Sequence, residues 1–280
     1  MRIISAIEIT NAVERLCIEA NYIIAPDMEN GIEQAIGDEK SPTGREILRQ
    51  LLQNASVARE KSIPLCQDTG MAVVFADIGQ DLHIEGGEMT RAINEGIRRG
   101  YRRGYLRDSI VSDPLNRVNT GDNTPSVIHY DIVEGDHLKL VLMSKGFGSE
   151  NTSALKMLKP SDGTEGVLDF VTETVSKAGP DPCPPIIVGV GLGGTMEKAA
   201  LLAKKSLLRK IGVHNTDPEI CILEDRLLRR INCLGIGPGG LGGTVTALAV
   251  NIEIFPTHIA GLPVAVNIGC HSTRHAEAIL

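Results

Sequence analysis

The six cysteines carry the most chemical potential in this sequence, and their surroundings sort them into two sets of three. Cys17 in Leu16-Cys17-Ile18-Glu19, Cys221 in Ile220-Cys221-Ile222-Leu223 and Cys233 in Ile231-Asn232-Cys233-Leu234 sit in or beside apolar, helix-like stretches. A free thiol in such company packs as a small hydrophobe, so these three are expected in the core. Cys66, Cys183 and Cys270 lie instead in segments dense in turn residues. These are Pro64-Leu65-Cys66-Gln67-Asp68-Thr69-Gly70, Gly179-Pro180-Asp181-Pro182-Cys183-Pro184-Pro185 and Asn267-Ile268-Gly269-Cys270-His271-Ser272-Thr273-Arg274-His275. Loops of this kind are where ligands and substrates meet a scaffold. Three thiolates from separate loops can hold a metal cofactor and leave one coordination position open. They lie far apart in sequence, unlike the compact cysteine runs of ferredoxins or zinc ribbons. On spacing alone, a thiol nucleophile or three unrelated loop cysteines fit as well.

The compartment bears on this choice. The 280 residues include 28 Lys+Arg against 35 Asp+Glu, a net charge of −7, which argues against a general binder of nucleic acid or of membrane surfaces. No apolar run approaches the roughly 18–20 residues of a spanning helix, and Glu8 interrupts the N-terminal apolar stretch before a signal-peptide core forms. A cytoplasmic location is expected, where thiols stay reduced and disulfides are rare.

Periodicity supplies the elements that must position these loops. Ala12, Val13, Leu16, Ala20 and Ile23 recur at helical spacing, and further helices are expected over 41–59, 88–104, 163–178, 196–211 and 218–231. In the 88–104 helix, Ile93, Ile97 and Tyr101 form one stripe and Gly96, Gly100 and Gly104 an adjacent one, a smooth groove for another backbone. In the 196–211 helix, Ala200, Ala203, Leu207 and Ile211 are expected to face inward. Strands are expected over 71–78, 184–190, 245–255 and 263–268, with a hairpin of 126–133 and 137–143 turning at Glu134-Gly135-Asp136. Helices first, strands later and mixed, indicate an α+β fold, with helices around mixed or antiparallel sheets and the cofactor held by loops. No Pro/Ser-rich linker divides the chain, which reads as one domain over 1–280.

Part of the excess of glycine (30 residues) lies in two echoing loops, Gly189 to Thr195 and Gly237 to Thr244, each ending in Gly-Gly-Thr. The first has the Gly-x-Gly-x-x-Gly form of a dinucleotide-binding turn. That fingerprint needs an acidic residue ending a second strand about 20 residues on, where this chain has Arg209 within a helix. The glycines are expected instead to let backbone N–H groups and tight turns approach a buried anion or a cofactor.

Five motifs in order carry a resemblance over essentially the whole chain. Pro64 to Gly70, Asn119-Thr120-Gly121-Asp122-Asn123-Thr124-Pro125, Lys145-Gly146-Phe147-Gly148-Ser149-Glu150-Asn151, Cys183-Pro184-Pro185 with its Gly-Gly-Thr loop, and Pro256-Thr257-His258 followed by Cys270 resemble class I, iron–sulfur-dependent fumarate hydratases. The match is similar to the α subunit of the two-subunit form. Tartrate dehydratase α subunits are a weaker resemblance, because Ser149-Glu150-Asn151 and its flanks follow the fumarase pattern. The chain departs from the family at Phe147, where three consecutive glycines are usual.

The resemblance implies reversible hydration of fumarate to (S)-malate. It implies a 4Fe–4S cluster held through three irons by Cys66, Cys183 and Cys270, with the fourth iron open to substrate. It makes Gln67, Asp68, Arg107, Gly146 and His258 substrate-binding, with His258 and Asp68 catalytic and Asp68 placed to orient His258. Arg107 also stands out on chemistry alone, since it lies in a loop beyond the last glycine and a guanidinium grips a carboxylate bidentately. His271, Arg274 and His275 read either as support for the cluster or as terminal polarity. The partners implied are a dicarboxylate substrate and a separate β subunit that completes the site, in a hetero-oligomer with α–α contact and with neither nucleic acid nor membrane. Alternatives are an L-tartrate or other 2-hydroxy dicarboxylate dehydratase, a non-catalytic iron–sulfur module and a nicotinamide-dependent dehydrogenase.

Overall fold

Ser5 caps the first helix through a reciprocal pair with Glu8, whose backbone N–H donates to the Ser5 hydroxyl while its carboxylate accepts from Ser5 N. From there the computed structural model, which describes residues 2–280, runs through helices and strands in mixed order. The first half contains β1 (Arg2–Ser5), α1 (Ala6–Tyr22), α2 (Pro26–Asp38), α3 (Pro42–Lys61), β2 (Met71–Gly79), β3 (Leu82–Glu85), α4 (Met89–Arg103), β4 (Val127–Val133) and β5 (Leu138–Lys145). The second contains α5 (Phe147–Glu150), β6 (Ala154–Leu158), α6 (Gly163–Ala178), β7 (Ile186–Gly193), α7 (Met196–Ser206), α8 (Pro218–Asn232), β8 (Ala247–Phe255), β9 (Leu262–Gly269) and β10 (Arg274–Ile279). Helices with mixed parallel and antiparallel sheets give the expected α+β class.

The residues gather into two compact units, each discontinuous in sequence. The first takes Met1–Ala25, Asn54–Phe147 and Arg274–Leu280; the second takes Pro26–Gln53 and Gly148–Thr273. Because both are assembled from separated segments, no linker composition could mark them.

In the first unit a four-stranded sheet of order β10-β5-β2-β4 packs against α1 and α4. The hairpin expected from residues 126–143 does not form. β4 pairs parallel with β2, and β5 pairs antiparallel with the other edge of β2. Residues 72–76 of β2 are buried, so this strand takes a partner on each side, while exposed β4 (Ile132 is 77 % exposed) lies at the edge. The Glu134–His137 link then passes over the end of β2, where Gly79 N donates to His137 O and Gln80 N to Val133 O.

The glycine stripe of α4 finds its partner in α1. A Cβ on Gly96 would stand 2.6 Å from the Thr10 carbonyl oxygen, and one on Gly100 would stand 2.6 Å from Cys17 Cβ. Each glycine costs helix stability, about 0.5–1 kcal/mol against alanine, in return for this close approach. Ile9, Val13 and Leu16 meet Ile93, Ile97 and Tyr101 in the same core.

The second unit holds a sheet of order β6-β9-β7-β8, with β7 parallel to β8 and antiparallel to β9. Leu168, Val171 and Val175 of α6 and Leu227 and Ile231 of α8 pack on Val188, Val190, Ile252 and Val266. Against α7 the sheet presents Gly191, where a Cβ would lie 2.0 Å from Ala199 O. The glycine pattern that imitates a dinucleotide turn therefore admits a helix backbone. α7 ends at Ser206, short of 211, and its buried face is Ala199, Ala203 and Ser206; Ala200 is exposed.

Cys17 is fully buried, as expected, and burial pushes its thiol pKa up. The other two core expectations are corrected. Cys221 is half-buried and Cys233 exposed. Cys221 lies within α8 and Cys233 caps its C-terminus, but the buried face of that helix is Glu224, Leu227 and Ile231, so helical surroundings alone do not place either cysteine inward.

Candidate functional site

Cys66, Gln67 and Asp68 form a short arch between α3 and β2, anchored at both ends within the first unit. Before it, Leu65 is buried; its N donates to Asn21 O (2.8 Å) and its carbonyl accepts from Asn54 Nδ2 (2.9 Å). After it, the buried Tyr101 hydroxyl donates to the carbonyls of Thr69 (2.9 Å) and Gly70 (3.2 Å), and Asn123 Nδ2 also reaches Gly70 O. Gly70 has φ +73°, and a Cβ there would stand 2.6 Å from the Lys145 carbonyl carbon. Only glycine lets the arch lie so close to the loop after β5. Between these anchors Cys66 and Asp68 are partly exposed and Gln67 is exposed.

Arg107 is fixed to this arch through its backbone. Thr69 Oγ1 accepts from Arg107 N (2.9 Å) and donates to Arg107 O (3.3 Å). Buried Asn123, from the second motif, steadies the same loop by accepting from Ser109 N (2.8 Å). Arg107 itself is exposed, and among the described residues its guanidinium has no hydrogen bond or ion pair. That leaves a forked cation beside the arch, suited to a carboxylate.

The loop after β5 meets Asp68. Asp68 Oδ2 accepts from Phe147 N (2.9 Å) and Oδ1 from Gly70 N (3.0 Å). Phe147, the departure from the family pattern, engages Asp68 through its backbone; its ring is exposed. Gly146 lies beside Asp68 and the buried Arg274.

Within the second unit the structure brings Cys183 and Cys270 to one place. Cys183 is exposed at φ +54°, with its N–H donated to Pro180 O (3.0 Å). Its carbonyl accepts from His271, through the backbone N–H (3.5 Å) and from ring Nδ1 (3.0 Å). A proton on Nδ1 is required for the second bond. His271 thus ties the two cysteine loops together. Ser272 Oγ lies 3.3 Å from Cys270 Sγ, and Thr273 binds the Cys270 carbonyl through both N and Oγ1.

His258 sits exposed on the β8–β9 turn. Its Nδ1 accepts from Ala260 N (3.2 Å), which leaves the proton on Nε2 facing outward. Thr257 Oγ1 donates to Gly194 O (2.9 Å) and Gly194 N to Pro256 O (3.2 Å), so the first Gly-Gly-Thr loop braces that turn.

The second Gly-Gly-Thr loop does surround a buried anion, and the anion is the chain's own. Glu39 is fully buried; its carboxylate accepts from Ser41 N (2.7 Å), Thr244 N (2.9 Å) and Val245 N (2.8 Å). Burial pushes its carboxyl pKa up, but these amides outweigh it and hold the value below the ordinary carboxylate range. No periodicity marked Glu39; the only signal was the glycine loop that would need an anion.

Among the described residues no three His, Cys, Asp or Glu side chains gather as ligands of a single metal ion. The donor set is of another kind: all six cysteines are free, and the three loop thiols are exposed or partly so while Cys17 is sealed in the core. Soft thiolates on accessible loops suit an iron–sulfur group more than an isolated hard cation.

The sequence profile described as fumarate hydratase (Fumerase) matches residues 10–279. A Methanocaldococcus jannaschii chain described as a putative L(+)-tartrate dehydratase subunit alpha is 44 % identical over 275 residues, covering 96 % of each chain. The L(+)-tartrate dehydratase subunit alpha of Escherichia coli O157:H7 is 34 % identical over 258 residues, 91 % of this chain and 84 % of that one. The chain belongs to the hydro-lyase family of fumarate hydratases and tartrate dehydratase α subunits. The preference for the fumarase motif over the tartrate one is not reflected in these relatives, both of which carry tartrate names. No helix is long and apolar enough to cross a membrane among the described residues.

Proposed function

We propose that this chain is the α subunit of an iron–sulfur hydro-lyase acting on a four-carbon dicarboxylate, with fumarate and (S)-malate the pair indicated by its motif series. The observation that carries this reading is the pairing of Thr69 with Arg107, which sets an unpartnered guanidinium beside the Cys66-Gln67-Asp68 arch.

Dehydration breaks the C2–O and C3–H bonds, forms the C2=C3 double bond, and releases hydroxide and proton together as water. Hydroxide leaves poorly and the C3 proton is weakly acidic. Arg107 binds a substrate carboxylate and stabilises the charge that builds on it as the proton departs. The Gln67 amide, exposed on the arch, offers a neutral donor to the same oxygens. His258, with Nδ1 engaged by Ala260 N, offers Nε2–H as a hydrogen-bond donor to substrate or as a group for proton handling. Asp68 holds the Gly146-Phe147 backbone in place while remaining partly exposed to substrate. Cys66, Cys183 and Cys270 would hold a 4Fe–4S cluster, which when bound supplies a Lewis-acid iron for the leaving oxygen. A β subunit is proposed as partner because the relatives are described as alpha subunits.

A second reading, L-tartrate as substrate, is favoured by the descriptions of those relatives. The test is anaerobic co-expression with the partner subunit, iron and sulfide analysis, and steady-state assays on malate, fumarate and L-tartrate. Iron–sulfur content with turnover of one of these supports the proposal. A cluster without turnover in the complete assembly identifies a non-catalytic module, and absence of iron after reconstitution overturns the reading.

A further inference from the structure

We propose that β4 is the contact surface for a second copy of this chain, and that two copies pair antiparallel along this strand about a two-fold axis at Tyr130. This assembly stands apart from the hydro-lyase reading. All of its residues belong to the first unit.

β4 has β2 on one side and no strand on the other among the described residues. Val133 O accepts from Gln80 N, which turns the backbone groups of Val133, and of Asp131, His129 and Val127 in alternation, toward β2. Those of Ile128, Tyr130 and Ile132 then face the open side. Exposed edges are ordinarily protected by lysine, proline, a bulge or a covering segment. β4, Val127-Ile128-His129-Tyr130-Asp131-Ile132-Val133, contains neither lysine nor proline and pairs with β2 in unbroken register. Val127, Tyr130, Ile132 and Val133 are exposed besides. A run of apolar side chains on an open edge marks an interaction surface.

The sequence of the strand names its partner. Counted outward from Tyr130, Ile128 mirrors Ile132, Val127 mirrors Val133, and His129 mirrors Asp131. In an antiparallel pair centred on Tyr130, each residue lies opposite its mirror position in the second copy. Tyr130 opposite itself and Ile128 opposite Ile132 become the hydrogen-bonded pairs, because their backbone groups face outward, and each pair exchanges two backbone bonds. Their side chains share the helix face of the sheet, where Ile128 borders the core and the Tyr130 hydroxyl lies 2.8 Å from Thr90 Oγ1 of α4. There Ile128 of the second copy covers the exposed Ile132.

The opposite face carries His129, stacked on Phe75, and Asp131. Both fall at non-hydrogen-bonded positions, where facing side chains come closest, so an imidazole meets a carboxylate on each side of the axis. The register is specific. Moving the centre to Asp131 would set two carboxylates face to face. An unrelated protein would need this order of residues by coincidence, whereas a second copy has it by construction and closes as a dimer.

The full chain is examined by sedimentation velocity from about 1 to 200 µM, since one strand pair is a small interface and dissociation in the micromolar range is expected. Wild type is expected to form a concentration-dependent dimer, and Ile132→Lys to remain a monomer with an unchanged far-UV circular dichroism spectrum. A wild-type chain that stays monomeric throughout, or Ile132→Lys dimerising as wild type does, overturns the proposal. Cross-linking reads the register independently. Under mild oxidation Tyr130→Cys should form an interchain disulfide, because facing hydrogen-bonded residues stand about 5.5 Å apart at Cα, within disulfide range. Val127→Cys should not, its two copies lying roughly 20 Å apart along the strands. Wild type, with its free cysteines, is the control, and peptide mapping identifies a link between the two introduced thiols. Failure of Tyr130→Cys to cross-link, or equal linking by Val127→Cys, overturns the two-fold pairing even where Ile132→Lys does not fold. The cross-link is sought again after assembly with the partner subunit. Its persistence supports the pairing; its loss there shows that the other subunit covers the edge, and overturns it.

Discussion

The Thr69 hydroxyl and the Arg107 backbone are joined in both directions: Thr69 Oγ1 accepts from Arg107 N and donates to Arg107 O. Two loops 38 residues apart in sequence are registered by a single buried hydroxyl. Replacing it with the near-isosteric valine removes both bonds while keeping the volume. Thr69→Val is expected to cost about 1–2 kcal/mol of stability. It should also raise KM for the dicarboxylate more than it lowers kcat, because Arg107 would lose its seat and not its charge. Steady-state kinetics and a denaturant titration check this; an unchanged KM would separate Arg107 from substrate binding.

The cysteines give a prediction about composition. Cys66→Ser, Cys183→Ser and Cys270→Ser are each expected to abolish iron and sulfide retention, with Cys221→Ser and Cys233→Ser unaffected. Cys17→Ser should retain iron and lose stability, since it buries a hydroxyl in an apolar core. Equal iron loss in all six would show that the sorting by local context is wrong. His271→Phe, which removes the ring bond from Nδ1 to the Cys183 carbonyl, should weaken retention partially.

Glu39 predicts a pH dependence. Its folded pKa lies below its unfolded value, so the stability it contributes is fully present above the unfolded value near 4.5 and is lost as pH falls through the folded one. Glu39→Gln is expected to be less stable than wild type at neutral pH, by on the order of 2–3 kcal/mol, with the gap closing in acid. Chemical denaturation across that range is the measurement, and a gap independent of pH would contradict the assignment.

The α1–α4 contact predicts the sign of a simple substitution. Alanine in place of a helix-interior glycine ordinarily stabilises, by up to about 1 kcal/mol. At Gly100 the added methyl would meet Cys17 Cβ at 2.6 Å, so Gly100→Ala should instead destabilise by roughly 1–3 kcal/mol. The urea midpoint should fall with an unchanged slope.

What could be read from the sequence follows the range of the interactions involved. Helix α6 was bounded correctly by its own residues, and the glycine stripe of α4 announced a close partner, because both signals are local. The hairpin failed because the insertion of β2 between β4 and β5 is decided by long-range burial that no turn sequence records. Cys66, Gln67 and Asp68 were legible as a motif, and Arg107 as the arginine outside the helix. Thr69, the residue that joins them, is an ordinary threonine until its neighbours are known. From the sequence Arg274 reads equally as support for a site or as terminal polarity, since nothing local reveals that it is almost wholly buried. Glu39 and its glycine loop are 205 residues apart, beyond any windowed reading.

Strand β10 carries a consequence for biosynthesis. It supplies an edge partner to β5 in the first unit, yet its residues follow every residue of the second unit in the chain. Translation therefore delivers the whole second unit before the first has all its strands. Until Arg274–Ile279 emerge, β5 is paired with β2 alone and carries one open row of backbone donors and acceptors, the kind of edge that invites wrong partners. The unit that begins to leave the ribosome first is the one finished last, and the interval between is when a nascent chain of this design most needs shielding.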